Sequence, residues 1–352
     1  MTVPHTIPGL CRFQADLCRK LGSSLYDHLL NRCAEDYEQG GPVRELLEPH
    51  KDDPRGSVVA LRLMGAVHRL VLEGRAPRLA QFYPSSGGTV RLEGGDVWET
   101  FSATLREQMP ALRQLICQPV QTNEVGRCGA LLGGFLLVAH RTGLPLRLLE
   151  IGSSAGLNLR WDHFRYTWKG GAWGDPASPV VLQDVFASEA VPPVGAVKVV
   201  ERRGCDPSPI DATSTAGRLT LQSFIWPEQL ERRALLQAAL EVARTVPCVV
   251  DCARAAGWLR ARLEEPAPGK ATVVFHSIVW QYLSHEERDR VAETITAAGS
   301  RATAEAPVAW LRMEPGRDSA EIRLEIFPGF AEQLIATAGY HSAPATWLAP
   351  PS

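Results

Sequence analysis

Apolar residues recur every three or four positions over most of the first 140 residues. Leu17, Leu21, Leu25, Leu29 and Leu30 do so within 13–37, and Leu61, Leu63, Val67, Leu70 and Val71 within 58–72. That period predicts helices with one buried face. Residues 74–84 and the run Ser85-Ser86-Gly87-Gly88 break it. A further helix is expected over 96–116, kinked or split at Pro110, whose nitrogen carries no proton to donate. Thr122 or Asn123 is then expected to cap a helix containing Gly126, Gly129, Gly133 and Gly134. Glycines weaken a helix, so their expected use is close approach to another backbone.

Beyond residue 145 the pattern changes. The run LRLLEI at 146–151 reads as a buried strand, and Gly152, Ser153, Ser154, Ala155 and Gly156 follow as five small residues before a helix-like segment. Further strands are expected at 197–200, extending toward Cys205, and at 248–250, ending at Asp251. Two more lie at 272–275, ending at His276 and Ser277, and at 308–313, ending at Glu314-Pro315. Helical segments separate them, including 228–244 and one opened by Ser284 with Glu287 three residues on, a capping-box spacing. Residues 321–327 alternate strictly, which predicts a half-exposed antiparallel strand near the sheet edge. Trp161, Trp168 and Trp173, with a turn at Gly170-Gly171, mark a β-rich insertion over 161–193. The tryptophans wall an aromatic pocket or pack a hairpin that has little other core. The expected class is α/β, a mostly parallel, doubly wound sheet at 121–352 behind an all-helical region at 1–120.

Charge and cysteines narrow the function classes. A net charge of −2 disfavours nucleic acid as an obligate partner. The eight cysteines contain no C-x-x-C pair, so no zinc site or other metal centre is expected, and reduced thiols fit a cytoplasmic setting. The N-terminus lacks the basic start and apolar run of a signal peptide, and the apolar stretch 128–139 is too short to span a bilayer. No membrane association is expected.

The small-residue loop is where chemistry is expected, because open α/β sheets bind ligands at the carboxyl ends of strands. A dinucleotide fingerprint requires glycine where this chain has Ser154 and Leu157, and a phosphate loop requires a lysine after Gly156. What remains is Glu150, Gly152, Ser154 and Gly156 at alternate positions. That spacing resembles the first motif of class I S-adenosylmethionine (SAM)-dependent methyltransferases, with Ser154 in place of a glycine. GCDPSPID at 204–211, VVDCARAAGWL at 249–259 and VVFHSIVWQYL at 273–283 resemble later segments of that superfamily, in order. More narrowly, LLEIGSSAGLNLRWD, VERRGCDPSPID, VVFHSIVWQYL and WLRMEP look like a bacterial family known as a domain of unknown function, over nearly the whole chain. The N-P-P-[YF] tetrapeptide of amino-directed nucleic-acid methyltransferases is missing.

The resemblance implies SAM as cofactor and a small-molecule methyl acceptor, with the N-terminal helices and the hairpin as a substrate lid. It places Glu150 near the methionine end of SAM, Gly152, Ser154 and Gly156 against it, Asp206 on the ribose hydroxyls and Asp251 near adenine. Asp206 lies 56 residues beyond Glu150, against about 20 in the usual pattern. The insertion accounts for the gap, and Glu201 is the other candidate. Asp206 as a helix cap before Pro207 and Asp251 as an ordinary strand-end carboxylate are the plainer alternatives. His276 is the candidate general base, an imidazole being suited to proton removal near neutral pH, or else a structural hydrogen-bonding group. Glu124 and Arg127, three apart, bind a charged substrate, meet the cofactor's carboxylate end, or pair with each other. Trp280 and Tyr282 cover substrate or pack the core, and Glu314 and His163 are further candidates. Transfer of another SAM-derived group, or SAM binding without catalysis, are the alternative functions.

Overall fold

The structure, a computed structural model, describes residues 5–93, 96–340 and 344–348. The chain forms two compact units, 1–122 with 214–234, and 123–213 with 235–352.

The first unit is helical. The stretch 13–37 is two helices rather than one, Ile7–Lys20 and Ser24–Glu38. Gly22 between them takes a left-handed φ of 88° and the Ser23 side chain caps the second helix. Leu21, counted in the apolar stripe, is therefore exposed, while Leu25, Leu29 and Leu30 are fully buried. Val59–Leu72 supplies the central apolar face. The chain does split near Pro110, into Asp96–Glu107 and Met109–Leu115, with the proline in a first turn where no amide proton is needed. The helix Thr215–Ser223 belongs to this unit, and Phe224 fills the space beside Gly65 that a side chain there would occupy.

The second unit is built on β1 (Leu146–Ile151). A small three-stranded sheet follows, formed by β2 (Arg165–Trp168), β3 (Gly171–Trp173) and β4 (Val181–Leu182). The chain returns to the main sheet with β5 (Val199–Asp206), β6 (Val249–Cys252), β7 (Ala271–Ser277) and β8 (Val308–Pro315). It ends with β9 (Ala320–Phe327), β10 (Phe330–Ala338) and β11 (Ala345–Trp347). The main sheet has eight strands in the order β11-β10-β9-β8-β7-β1-β5-β6. The five from β6 to β8 are parallel, and β9, β10 and β11 are antiparallel additions. Residues 321–327 do form an antiparallel strand with every second side chain buried. They lie two strands inside the edge, because β10 and β11 extend the sheet beyond them.

Helices cover both faces. Arg127–Thr142 lies on one, where Phe135 meets Phe275 edge-on at 5.1 Å. A methyl group at Gly133 would collide with the Trp347 ring, and one at Gly134 with Leu311. The helix glycines thus admit side chains from the sheet rather than another backbone. Ala255–Arg262 and His285–Gly299 cover the other face, packed on Leu149, Ile151, Val274 and Trp310. Ser284 caps the latter helix by accepting from Glu287 N at 3.2 Å. The Glu287 carboxylate turns instead to Ala256 N, at 3.0 Å, and ties the two helices together.

Candidate functional site

Outward from β1 the chain builds β5 and β6, then crosses to β7 on the other side of β1. The carboxyl ends of β1 and β7 flank this reversal of strand order, where α/β sheets hold ligands. The loop after β1 alternates in hand: φ is 69° at Gly152, 54° at Ser154 and 67° at Gly156. The two glycines meet this at no steric penalty, whereas Ser154 is held there by its surroundings. Ser154 N donates to Asp206 Oδ2 at 2.9 Å, and Ile210 N donates to Ser154 O at 3.1 Å. Ser153 rests on β5 where Gly204 has no side chain, its hydroxyl donating to Glu150 O at 2.8 Å.

The glycines do not present bare backbone to open space, as their small size suggested. The Val279 side chain takes the place of a Cβ at Gly152, 2.5 Å away, and Cys248 and Val250 do the same at Gly156, at 2.7 and 2.9 Å. The segment after the loop also differs from expectation. It is a 3-10 helix, Asn158–His163, and Arg160 from it donates to the Gly156 carbonyl at 2.7 Å.

Asn123 is the residue the sequence misassigned. The helix it was expected to cap starts at Arg127, with Gly126 at the cap position. Asn123 instead adopts a φ of 36° and its Oδ1 accepts from Ala155 N at 3.1 Å and Leu157 N at 3.0 Å. This contact, which brings residues 32 apart together, fixes the descending half of the loop. It also sets Glu124 and Arg127 beside it. Glu124 is buried and accepts from Gly126 N at 3.3 Å, while Arg127 donates to the carbonyls of Ser277 and Tyr340 at 3.0 and 3.1 Å.

Strand alternation divides the candidate residues between the two faces of the sheet. Glu150 is in register with Gly204 on β5 and Phe275 on β7, so Glu150, Gly204 and Asp206 share the face of the Arg127–Thr142 helix. Asp251 is in register with Cys205, and His276 follows Phe275, which puts both on the opposite face. Glu150 and Asp206 therefore converge on the loop; Asp251 and His276 do not.

Glu150 is 2% exposed and its Oε2 has no hydrogen-bond partner. Burial, reinforced by the nearby Asp206 carboxylate, pushes its carboxyl well above the usual range, with Arg160, Asn158 and Arg127 opposing. The buried Ser154 hydroxyl is likewise unpartnered. Asp206 accepts from Ser154 N and from Ser208 N, the latter at 2.8 Å.

Asp251 lies on the face away from Glu150 and is engaged by its neighbours. It accepts from Arg203 Nε at 2.9 Å and Trp258 Nε1 at 2.7 Å, and pairs with Arg262 at 3.5 Å. The Arg203 hydrogen bond brings its pKa down to about 2. These contacts fit the plainer alternative, a structural carboxylate. Glu201 pairs with Arg147 at 3.1 Å, near the opposite ends of the strands. An open cleft of about 350 Å³ lies there too, lined by Arg147, Glu201, Lys270 and other charged side chains. It is remote from the small-residue loop.

His276, the candidate general base, lies in a closed hydrogen-bonded network. An indole nitrogen can only donate, so the 3.2 Å contact with Trp310 Nε1 makes His276 Nε2 an acceptor. The ring proton is then on Nδ1, which donates to Glu314 Oε1 at 2.6 Å. Both nitrogens are used and the ring is fully buried under Trp280, whose centroid lies 5.0 Å away at an interplanar angle of 10°. Trp280 thus packs on His276 and the helix-covered core of that face. Tyr282 is 61% exposed, and His163 lies beside the Asp162–Arg202 pair. In the insertion, Trp161 stacks on Phe135 at 4.3 Å and on Trp173 at 5.2 Å, and Trp168 meets Phe186 at 5.3 Å. These tryptophans pack the hairpin onto its unit.

All eight cysteines are free. Among the described residues no cluster of three His, Cys, Asp or Glu side chains is arranged to hold a metal, and no helix is long and apolar enough to cross a membrane.

Fold and site together define a mixed α/β protein with a candidate ligand loop at the point where its mostly parallel sheet reverses strand order. The chain belongs to the family described as "uncharacterized protein conserved in bacteria" (DUF2332), whose model matches residues 10–347. No curated protein and no solved structure matches it.

Proposed function

We propose that the protein is a SAM-dependent methyltransferase acting on a small molecule. The observation that carries this reading is the unpartnered, buried Glu150 Oε2 at the end of β1, beside a loop of alternating hand and above the Asp206 carboxylate. A buried acceptor without a donor is a standing energetic penalty, commonly about 1–3 kcal/mol, unless a ligand relieves it. A cofactor with an ammonium at one end and a ribose diol further along supplies donors suited to Glu150 and to Asp206. Ser154, its hydroxyl also free of partners, would meet it between them. SAM, when bound, supplies a methyl group activated by its sulfonium; the chain's residues bind it, orient it and exclude water. A small acceptor accords with the near-neutral charge.

The burial of His276 favours one second reading, a SAM-binding protein that transfers nothing. Incubation with methyl-labelled SAM and a metabolite extract separates the two. Label appearing in a small molecule, and lost with Glu150→Gln, supports the enzyme. Tight binding with all label retained in SAM supports the second reading, and failure of folded protein to bind SAM removes both.

A further inference from the structure

The turn after β7 is locally constrained. Ile278 adopts a φ of 53°, a left-handed conformation that a β-branched residue rarely takes and that persists only when its surroundings impose it. What imposes it is visible. Ile278 N donates to Met313 O at 2.8 Å, Val279 N to Glu314 Oε1 at 3.0 Å, and Trp280 N to Glu314 Oε2 at 3.2 Å. The Glu314 carboxylate also accepts from His276 Nδ1, and His276 is in turn held by Trp310 and covered by Trp280. One carboxylate at the end of β8 thus grips two successive amides and the imidazole beneath them. The result of the grip is that Val279 lies against Gly152, at the first residue of the small-residue loop.

We propose that Glu314 is the positioning residue of the candidate site: through the turn 278–280 it presses Val279 onto Gly152 and fixes one wall of the ligand space. His276 belongs to this device, as the proton donor that orients Glu314, and not to the chemistry. A missing side chain at 314 releases the two amides and leaves the Ile278 N–Met313 O hydrogen bond alone to hold Ile278 left-handed. The inference rests on the SAM reading for the identity of the ligand but not for the grip itself.

Two measurements on the full chain test it separately. In hydrogen exchange, Glu314→Ala should raise exchange at Val279 and Trp280 about tenfold or more, while β1 and β5 stay protected. Glu314→Gln, which keeps the shape and one acceptor oxygen, should show a smaller rise and guards against misfolding of the alanine variant. His276→Asn, able to offer a donor where Nδ1 stood, should stay closer to wild type than His276→Gln. Unchanged exchange at these amides in folded Glu314→Ala overturns the grip. In calorimetry with SAM, the alanine variant should bind about tenfold or more weakly. Wild-type affinity with faster exchange would show that the turn is held as described but does not shape the site. Absence of SAM binding by the wild type bears on the proposed function and leaves the exchange result to decide the grip.

Discussion

Burial, with the Asp206 carboxylate nearby, pushes the Glu150 carboxyl well above the usual carboxylate range. A neutral carboxyl offers no charge to an ammonium, so binding such a ligand requires the proton to leave. Over the range in which the free carboxyl is protonated, the complex lacks a proton that the free protein holds, and by linkage affinity rises with pH by up to about tenfold per unit. The groups that set this balance are Asp206, which favours protonation, and Arg160 and Arg127, which oppose it. Titrations with SAM at a series of pH values upward from the usual carboxylate range are expected to show this slope in wild type and a flat, weaker response in Glu150→Gln. A flat wild-type response would mean Glu150 does not meet the cation. The small-residue loop and its flanking acid were legible as a local pattern. The division of Asp251 and His276 from Glu150 was not, because it depends on the register between strands, which no local spacing records. Asn123 was missed for the same reason: its partners are Ala155 and Leu157, and its own neighbours suggest only a cap.

At the level of elements, the strands with a clear apolar run were legible: β1, β5, β6, β7 and β8 lie where the pattern put them. β9 declared itself by strict alternation. β10 and β11 did not, since Ala331, Glu332 and Gln333 in the first half of β10 are exposed and β11 is three residues long. The Arg127–Thr142 helix shows how glycine content misleads when read alone. Gly133 faces the Trp347 ring, a rigid neighbour. Gly133→Ala gains roughly 1 kcal/mol of helix propensity, against about 1–3 kcal/mol for overpacking at the ring. The expected outcome is a net loss of stability, read as a lower midpoint in urea unfolding. A stabilised variant would show that Trp347 yields easily and that the contact is incidental.

Across the whole molecule, the helical character of the first unit was legible, but the membership of 214–234 in it was not. Phe224 against Gly65 joins residues far apart in the chain. The same return brings Ser223 O to His68 Nδ1 at 3.1 Å, while Ser85 Oγ meets His68 Nε2 at 2.7 Å. A carbonyl can only accept, so His68 carries its proton on Nδ1 and accepts from Ser85. Burial lowers its pKa from an ordinary 6.5 to about 3. Between those values the unfolded chain binds a proton that the folded chain refuses. This contribution to stability is therefore fully present above pH 6.5, as the unfolded pKa dictates, and is lost progressively as pH falls toward 3. The loss amounts to about 4 kcal/mol over the window. Denaturant unfolding at a series of pH values should show it in wild type and much less of it in His68→Gln; equal slopes would place the acid sensitivity elsewhere.

The loop after β1 is the proposed SAM site, and isothermal titration of the folded chain with SAM decides whether it is one. Saturable one-to-one binding of SAM and of its demethylated product is expected, weakened in Glu150→Gln and in Asp206→Ala. No heat of binding from wild-type protein, or binding that both substitutions leave untouched, would contradict it.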